Sequence, residues 1–134
     1  MYDATSAPAP FSTPIRVRWS EADPQGVVFN GNYLVYADAA GTEYFRHLGV
    51  IGSDIEDFLQ LYVVDAHLSF KAPARADDLI TCTVQPTHLG KSSFQLSVTV
   101  SRDKIELTTI TLTYVRAING QSTPLSDTFR ALIS

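Results

Sequence analysis

The residues best suited to chemistry in this chain lie close together near its beginning. Asp23-Pro24-Gln25-Gly26 has the composition of a tight turn, with Asp leading, Pro preset in φ and Gly closing. A carboxylate there reads two ways. It bonds backbone N–H groups of its own turn, or it acts on a ligand as nucleophile or general base. Glu21, two residues earlier, reads as a solvated charge. A second polar corner, Asn30-Gly31-Asn32, precedes a helical pattern. The first turn of that helix, around Asn30 to Tyr33, is expected to offer unpaired N–H groups and the positive end of a dipole.

Other polar residues carry weaker signals. Asp38 on the helix reads as a solvent-facing charge, and Glu43 as the partner of Arg46 or His47 on the helix surface. Lys71, Arg75 and Lys91 flank strand ends; cations of this kind bind phosphate well, although each also reads as a plain surface charge. His47, His67 and His88 are too scattered for a metal set, and Cys82 falls mid-strand facing the core. There is no Gly-x-Ser-x-Gly elbow and no phosphate-binding glycine loop. No metal and no cofactor is expected.

At 134 residues with 45% apolar side chains, the chain has the size of one domain with a real core. A net charge of −4 and a pI near 5.2 argue against general nucleic-acid binding, which needs a basic surface. No apolar run approaches the roughly 18–20 residues that span a bilayer, and no secretory signal opens the chain. One cysteine forms no internal disulfide. These features place the expected protein in the cytoplasm, away from membranes.

The elements that position these residues follow from periodicity. Residues 1–14, with Pro8, Pro10 and Pro14, read as a poorly ordered lead-in, and residues 15–134 as one domain. Ile15, Val17 and Trp19 alternate with polar neighbours, which predicts a half-buried strand. Leu34, Ala37, Gly41, Tyr44, Phe45 and Leu48 recur at helical spacing, with Gly49 as the stop. The centre of that stripe is small, so the helix can lie close against a curved sheet. Ser53 with Glu56 reads as a capping box opening a short helix through Gln60.

Four strands are predicted beyond it. Val64, Ala66, Leu68 and Phe70 share one face of the first, and Ile80, Cys82 and Val84 mark the second. A hairpin at His88–Lys91 leads to Phe94, Leu96, Val98 and Val100. In the last strand Ile105 and Leu107 are out of phase with Ile110, Leu112 and Tyr114, which predicts a bulge near Thr108-Thr109. Thr123-Pro124 is expected to start a terminal helix burying Leu125, Phe129 and Leu132. One long helix and consecutive strands make an antiparallel α+β fold.

The stretch from Val17 to Phe45, VRWSEADPQGVVFNGNYLVYADAAGTEYF, resembles the opening of the 4-hydroxybenzoyl-CoA thioesterase family of hotdog proteins. Asp23, Gly26, Asn32, Tyr33 and Asp38 occupy matching positions. The segments PARADD (Pro73 to Asp78) and GKSSF (Gly90 to Phe94) resemble the family's strand junctions, so the likeness covers roughly residues 15–117. It implies a hotdog fold, with about five antiparallel strands curved around one long helix. It also implies hydrolysis of an acyl-CoA, with Asp23 as the catalytic carboxylate and Asn30, Gly31, Asn32, Tyr33 and Asp38 around the acyl group. Lys71, Arg75 and Lys91 are the candidates for the coenzyme's phosphates. Homo-oligomers are implied too, as dimers or dimers of dimers. Asn30 departs from the aromatic residue that hydroxybenzoyl-specific members carry there. A non-enzymatic acyl-CoA-binding domain and a hotdog dehydratase are the alternatives; the second is disfavoured because no His follows Asp23 in its loop.

Overall fold

A computed structural model describes residues 9–134. Its elements run β1 (Phe11–Arg16), α1 (Asn32–His47), β2 (Leu61–Phe70), β3 (Leu79–Leu89), β4 (Ser93–Arg102), β5 (Ile105–Ile118), β6 (Gln121–Ser122) and α2 (Asp127–Ile133). Five strands form one antiparallel sheet in the order β1-β3-β4-β5-β2, and the short β6 pairs with the end of β5. Helix α1 packs against β1, β3, β4 and β5. This is the expected hotdog arrangement.

The close approach of α1 follows from its small centre. Ala37 and Ala40 are wholly buried, and a Cβ on Gly41 would stand 3.2 Å from the Tyr114 hydroxyl. Phe45 anchors the other half of the helix, with ring centroids 5.5 Å from Phe58, 6.0 Å from Tyr114 and 6.1 Å from both Phe94 and Phe129. Such aromatic pairs contribute about 0.5–1.5 kcal/mol each beyond the area they bury. Ile80, Cys82, Val84, Phe94, Leu96, Val98, Val100, Ile110 and Leu112 complete the core. The opposite face carries rows of Thr and Ser in register, such as Ser12, Thr83, Thr99, Thr109 and Ser69 across all five strands.

Several boundaries differ from expectation. Residues 1–8 of the expected lead-in lie outside the described residues, but Phe11–Pro14 belong to β1, where Pro14 is tolerated on an edge strand. The strand stops at Arg16, and a 3-10 turn over Trp19–Glu21 breaks the alternation. Trp19, expected to point inward, is therefore 75% exposed. In α1 the buried stripe holds Ala37, Gly41, Tyr44 and Phe45 as expected, but its start buries Tyr33 and Tyr36 while Leu34 is exposed.

The short second helix is a 3-10 segment, Glu56–Gln60. Ser53 does not cap it; its hydroxyl donates to the Val50 carbonyl and accepts from Ile55 N–H. A bulge between Val63 and Asp65 moves Val63, rather than Val64, into line with Tyr114, Leu112 and Ile110. The β5 bulge is present one residue early, where Leu107 is skipped in the pairing with β4. Helix α2 begins at Asp127, capped by the Ser126 hydroxyl rather than opened by Pro124, and buries Phe129 and Ile133.

Candidate active site

The chain between β1 and α1 forms a small hairpin. Glu21 O accepts Phe29 N–H at 3.0 Å, Asp23 N–H donates to Val27 O at 2.8 Å, and Gly26 N–H donates to Asp23 O at 2.9 Å. Gly26 has φ +79, a left-handed conformation that a side chain would strain. The returning arm also pairs with the segment after β2, where Val28 N–H donates to Ala74 O at 2.9 Å. Asp23 thus sits at a hairpin tip braced on both sides.

Asp23 itself is half-buried. Its Oδ1 accepts Gln25 N–H at 2.8 Å and Val27 N–H at 3.4 Å. The second carboxylate oxygen has no partner among the described residues. The turn reading and the chemical reading are therefore compatible: one oxygen orients the side chain, and the other is open.

The start of α1 is more fully bonded than expected. Asn32 N–H donates to Phe29 O at 2.9 Å, and Tyr33 and Leu34 N–H donate to Asn30 O and Gly31 O at 3.3 Å. Only Asn30 N–H and Gly31 N–H are left without an acceptor among the described residues of this corner. The Asn32 side chain is also engaged, donating to Glu21 O at 2.9 Å. Tyr33 is buried, and its hydroxyl accepts Ala74 N–H at 3.0 Å.

Beside this corner opens a groove of about 240 Å³, walled by Val27, Val28, Asn30, Phe70, Lys71 and Pro73 over the edge of Tyr33. Lys71 Nζ stands 2.9 Å from Glu106 Oε1 at its rim. Asp23 is not in the wall, but it pairs with Val27, which is. Arg75 is exposed and bridges to Val27 through its backbone, with its N–H on Asp78 Oδ2 at 2.8 Å. That Asp78 carboxylate also meets Arg102. Burial alone would raise it, but the Arg75 N–H bond and the Arg102 guanidinium outweigh burial and hold it below its ordinary value.

Two expected site residues lie elsewhere. Asp38 faces a separate groove of about 180 Å³, with Thr42, Phe45, Phe58, Val63 and Tyr114. Burial first, then the charge of Asp38, push the Tyr114 phenol well above its ordinary value. Lys91 sits past the far end of β3, on the order of 30 Å of strand from the Asp23 end. Within one chain, Asp23, Asn30, Gly31, Lys71 and Arg75 share an end of the sheet; Asp38 and Lys91 do not join them. Glu43 pairs with Arg46 at 3.4 Å, as expected. His67 is exposed, 3.1 Å from Asp65.

One residue differs from expectation. Glu21, expected to be a solvated charge, is half-buried and accepts Arg18 N–H at 2.7 Å and the Tyr36 hydroxyl at 3.0 Å. Burial first, then this bond, raise the Tyr36 phenol well above its ordinary value. No local pattern in the sequence announces a bond across fifteen positions.

The sequence model of the thioesterase superfamily matches residues 25–109, which takes in Asn30 to Asp38 and starts two residues past Asp23. The chain belongs to the thioesterase superfamily. A putative esterase of Aquifex aeolicus is 27% identical over 113 residues, 84% of this chain and 88% of that one. The acyl-CoA thioesterase YbgC of Haemophilus influenzae is 25% identical over 118 residues, 87% of each chain. The structure of 4-hydroxybenzoyl CoA thioesterase from Pseudomonas superposes with a TM-score of 0.82, over 92% of this chain and 98% of that one. At 21% identity this last match is a likeness of fold. As a member of the thioesterase superfamily, the chain is an enzyme that hydrolyses thioesters. No helix among its described residues is long and apolar enough to cross a membrane.

Proposed function

We propose that the protein hydrolyses an acyl-CoA to a free carboxylic acid and coenzyme A, with Asp23 as the reacting carboxylate. The observation that carries this reading is the pairing of one oriented, half-open carboxylate with two open N–H groups at the entry to α1. A thioester is an activated acyl donor whose thiolate leaves without a strong acid, so this small set of groups suffices. The free oxygen of Asp23 either takes the proton of an attacking water or attacks the carbonyl carbon itself, giving an anhydride that water then opens. In both routes negative charge collects on the carbonyl oxygen, and the N–H groups of Asn30 and Gly31 meet it. The thiolate departs and takes up a proton.

Lys71 and Arg75 supply cations at the same end for the coenzyme's phosphates. The groove walled by Val28 and Phe70 takes the acyl group or the arm leading to it. A single chain leaves this reading incomplete, because Asp38 and Lys91 lie apart from Asp23. A second copy completes it. Edge strand β2 exposes Tyr62, Val63, Val64 and Phe70 by 49–60%, an apolar edge with unpaired backbone groups of the kind that joins another sheet. Pairing of β2 with its copy buries that edge and brings each Asp38 groove against the partner; a pair of such dimers is the larger assembly proposed. A lone buried thiol suits the reducing cytoplasm.

The test is release of free thiol from a panel of acyl-CoAs by wild type and Asp23→Asn. The substitution keeps an oxygen for Gln25 N–H, so the hairpin persists while the charge is lost; kcat falls about 10²–10⁴-fold. Hydrolysis untouched by Asp23→Asn removes Asp23 from the chemistry. No hydrolysis of any thioester leaves a binding domain. Sedimentation of wild type beside Val64→Lys tests the assembly, and a wild-type monomer at all concentrations rules it out.

A further inference from the structure

We propose that Glu21 is a positioning residue for Asp23, acting through the Tyr36 hydroxyl; this rests on the reading of Asp23 as the reacting acid. Four hydrogen bonds converge on Glu21. Its Oε1 accepts Arg18 N–H and the Tyr36 hydroxyl, and its carbonyl accepts Phe29 N–H and Asn32 Nδ2. These partners come from three places: the start of the 3-10 turn after β1, the returning arm of the hairpin, and the first two turns of α1. Glu21 therefore ties the hairpin that carries Asp23 to the helix whose entry carries the open N–H groups.

The geometry gives the tie its purpose. Asp23 is two residues from Glu21 along one arm, and Asn30 adjoins Phe29 on the other. The bonds from Phe29 and Asn32 use the main-chain carbonyl and stay whatever stands at position 21, so the side chain's own share is the tie from Arg18 N–H to the Tyr36 hydroxyl; without it the turn before the hairpin can rock against α1. Tyr36 is 2% exposed and held protonated by burial, so its hydroxyl donates throughout the working pH range. An error of about 1 Å in the attacking group costs on the order of 10²-fold in rate.

The experiment measures kcat and KM for Glu21→Ala, Glu21→Gln and Tyr36→Phe, each alone and combined with Asp23→Asn at raised enzyme concentration. Tyr36→Phe keeps the buried ring and removes one oxygen, so kcat falls roughly 10-fold with KM held within about twofold, and Glu21→Ala falls roughly 100-fold. Glu21→Gln, whose amide oxygen accepts the same two donors, recovers most of the loss. Combined with Asp23→Asn, none of the three changes the residual rate, because the group they orient is gone. If Tyr36→Phe and Glu21→Ala keep the wild-type kcat while Asp23→Asn loses it, the positioning role is wrong and the reading of Asp23 stands. Losses that persist undiminished beside Asp23→Asn also overturn it. A wild-type rate in Asp23→Asn alone removes the reading of Asp23 and this role together. Should Glu21→Ala fail to fold, Tyr36→Phe with a melting curve carries the same decision.

Discussion

Removing one backbone N–H from the entry of α1 tests the proposed oxyanion site more sharply than any side-chain change, and Asn30→Pro does so. Phe29 O accepts Asn32 N–H, so Asn30 and Gly31 are the central residues of a turn. Gly31 has φ −63 and ψ −25, which makes it a common right-handed turn whose first central position proline favours. Phe29 ends the hairpin arm with its N–H on the Glu21 carbonyl, and a following proline favours an extended residue at that place. The Asn30 N–H has no acceptor among the described residues, so no internal hydrogen bond is lost. Fixing the turn in the unfolded chain adds about 0.4–1 kcal/mol of stability, a rise of about 1–4 °C in melting temperature for a domain of this size.

The rate moves the other way. Two donors are open at this corner, and the substitution deletes one. A single oxyanion donor is worth roughly 2.7–4 kcal/mol, about 10²–10³ in kcat. Because the Asn30 side chain also walls the groove, the control is Asn30→Ala, which keeps the N–H. The assay is initial thiol release at saturating acyl-CoA for wild type, Asn30→Ala and Asn30→Pro, with melting curves of all three. The ratio of Ala to Pro reads the N–H alone. A ratio below about threefold, with both variants folded, refutes the assignment of Asn30 N–H to the developing oxyanion.

Two further outcomes concern stability. Asp57 is 1% exposed and accepts Ser126 N–H at 2.8 Å and the Ser126 hydroxyl at 2.6 Å, with Arg116 at 3.6 Å. Asp57→Ala strands those donors, although Arg116 keeps Gln60 and the Pro124 carbonyl. The cost is about 3 kcal/mol, read as a drop of about 10 °C at fixed protein concentration; a change under about 1 kcal/mol refutes the load placed on this carboxylate. Burial pushes the Cys82 thiol from 9.0 up to about 12. The folded state therefore favours the neutral thiol. Its contribution is fully present below pH 9.0 and is lost progressively as pH rises towards 12. Urea midpoints should fall less steeply with alkaline pH in Cys82→Ala than in wild type, and equal slopes remove Cys82 from the account.

Features that depend on local periodicity were legible in the residues alone. Alternation along Phe94 to Val100, the phase break before Ile110, and the small centre of α1 at Ala37, Ala40 and Gly41 each report burial, and burial is repeated every two residues in a strand or every turn in a helix. From these follow the antiparallel sheet, the bulge and the close-packed helix. The turn at Asp23 was legible for the same reason, since Asp, Pro and Gly each act on their own backbone.

Features that depend on bonds between distant positions emerged only from the folded chain. Glu21 and Tyr36 lie fifteen residues apart, and the Asn32 amide reaches back eleven. No local pattern encodes either bond. The same bonding decided which helix N–H groups remain open, because the turn from Phe29 consumed that of Asn32 and left those of Asn30 and Gly31. Strand direction, which periodicity does not carry, placed Lys71 at the Asp23 end of the sheet and Lys91 at the other. Side-chain type sets which chemistry a residue can perform, but proximity is a property of the closed sheet, and only folding supplies it.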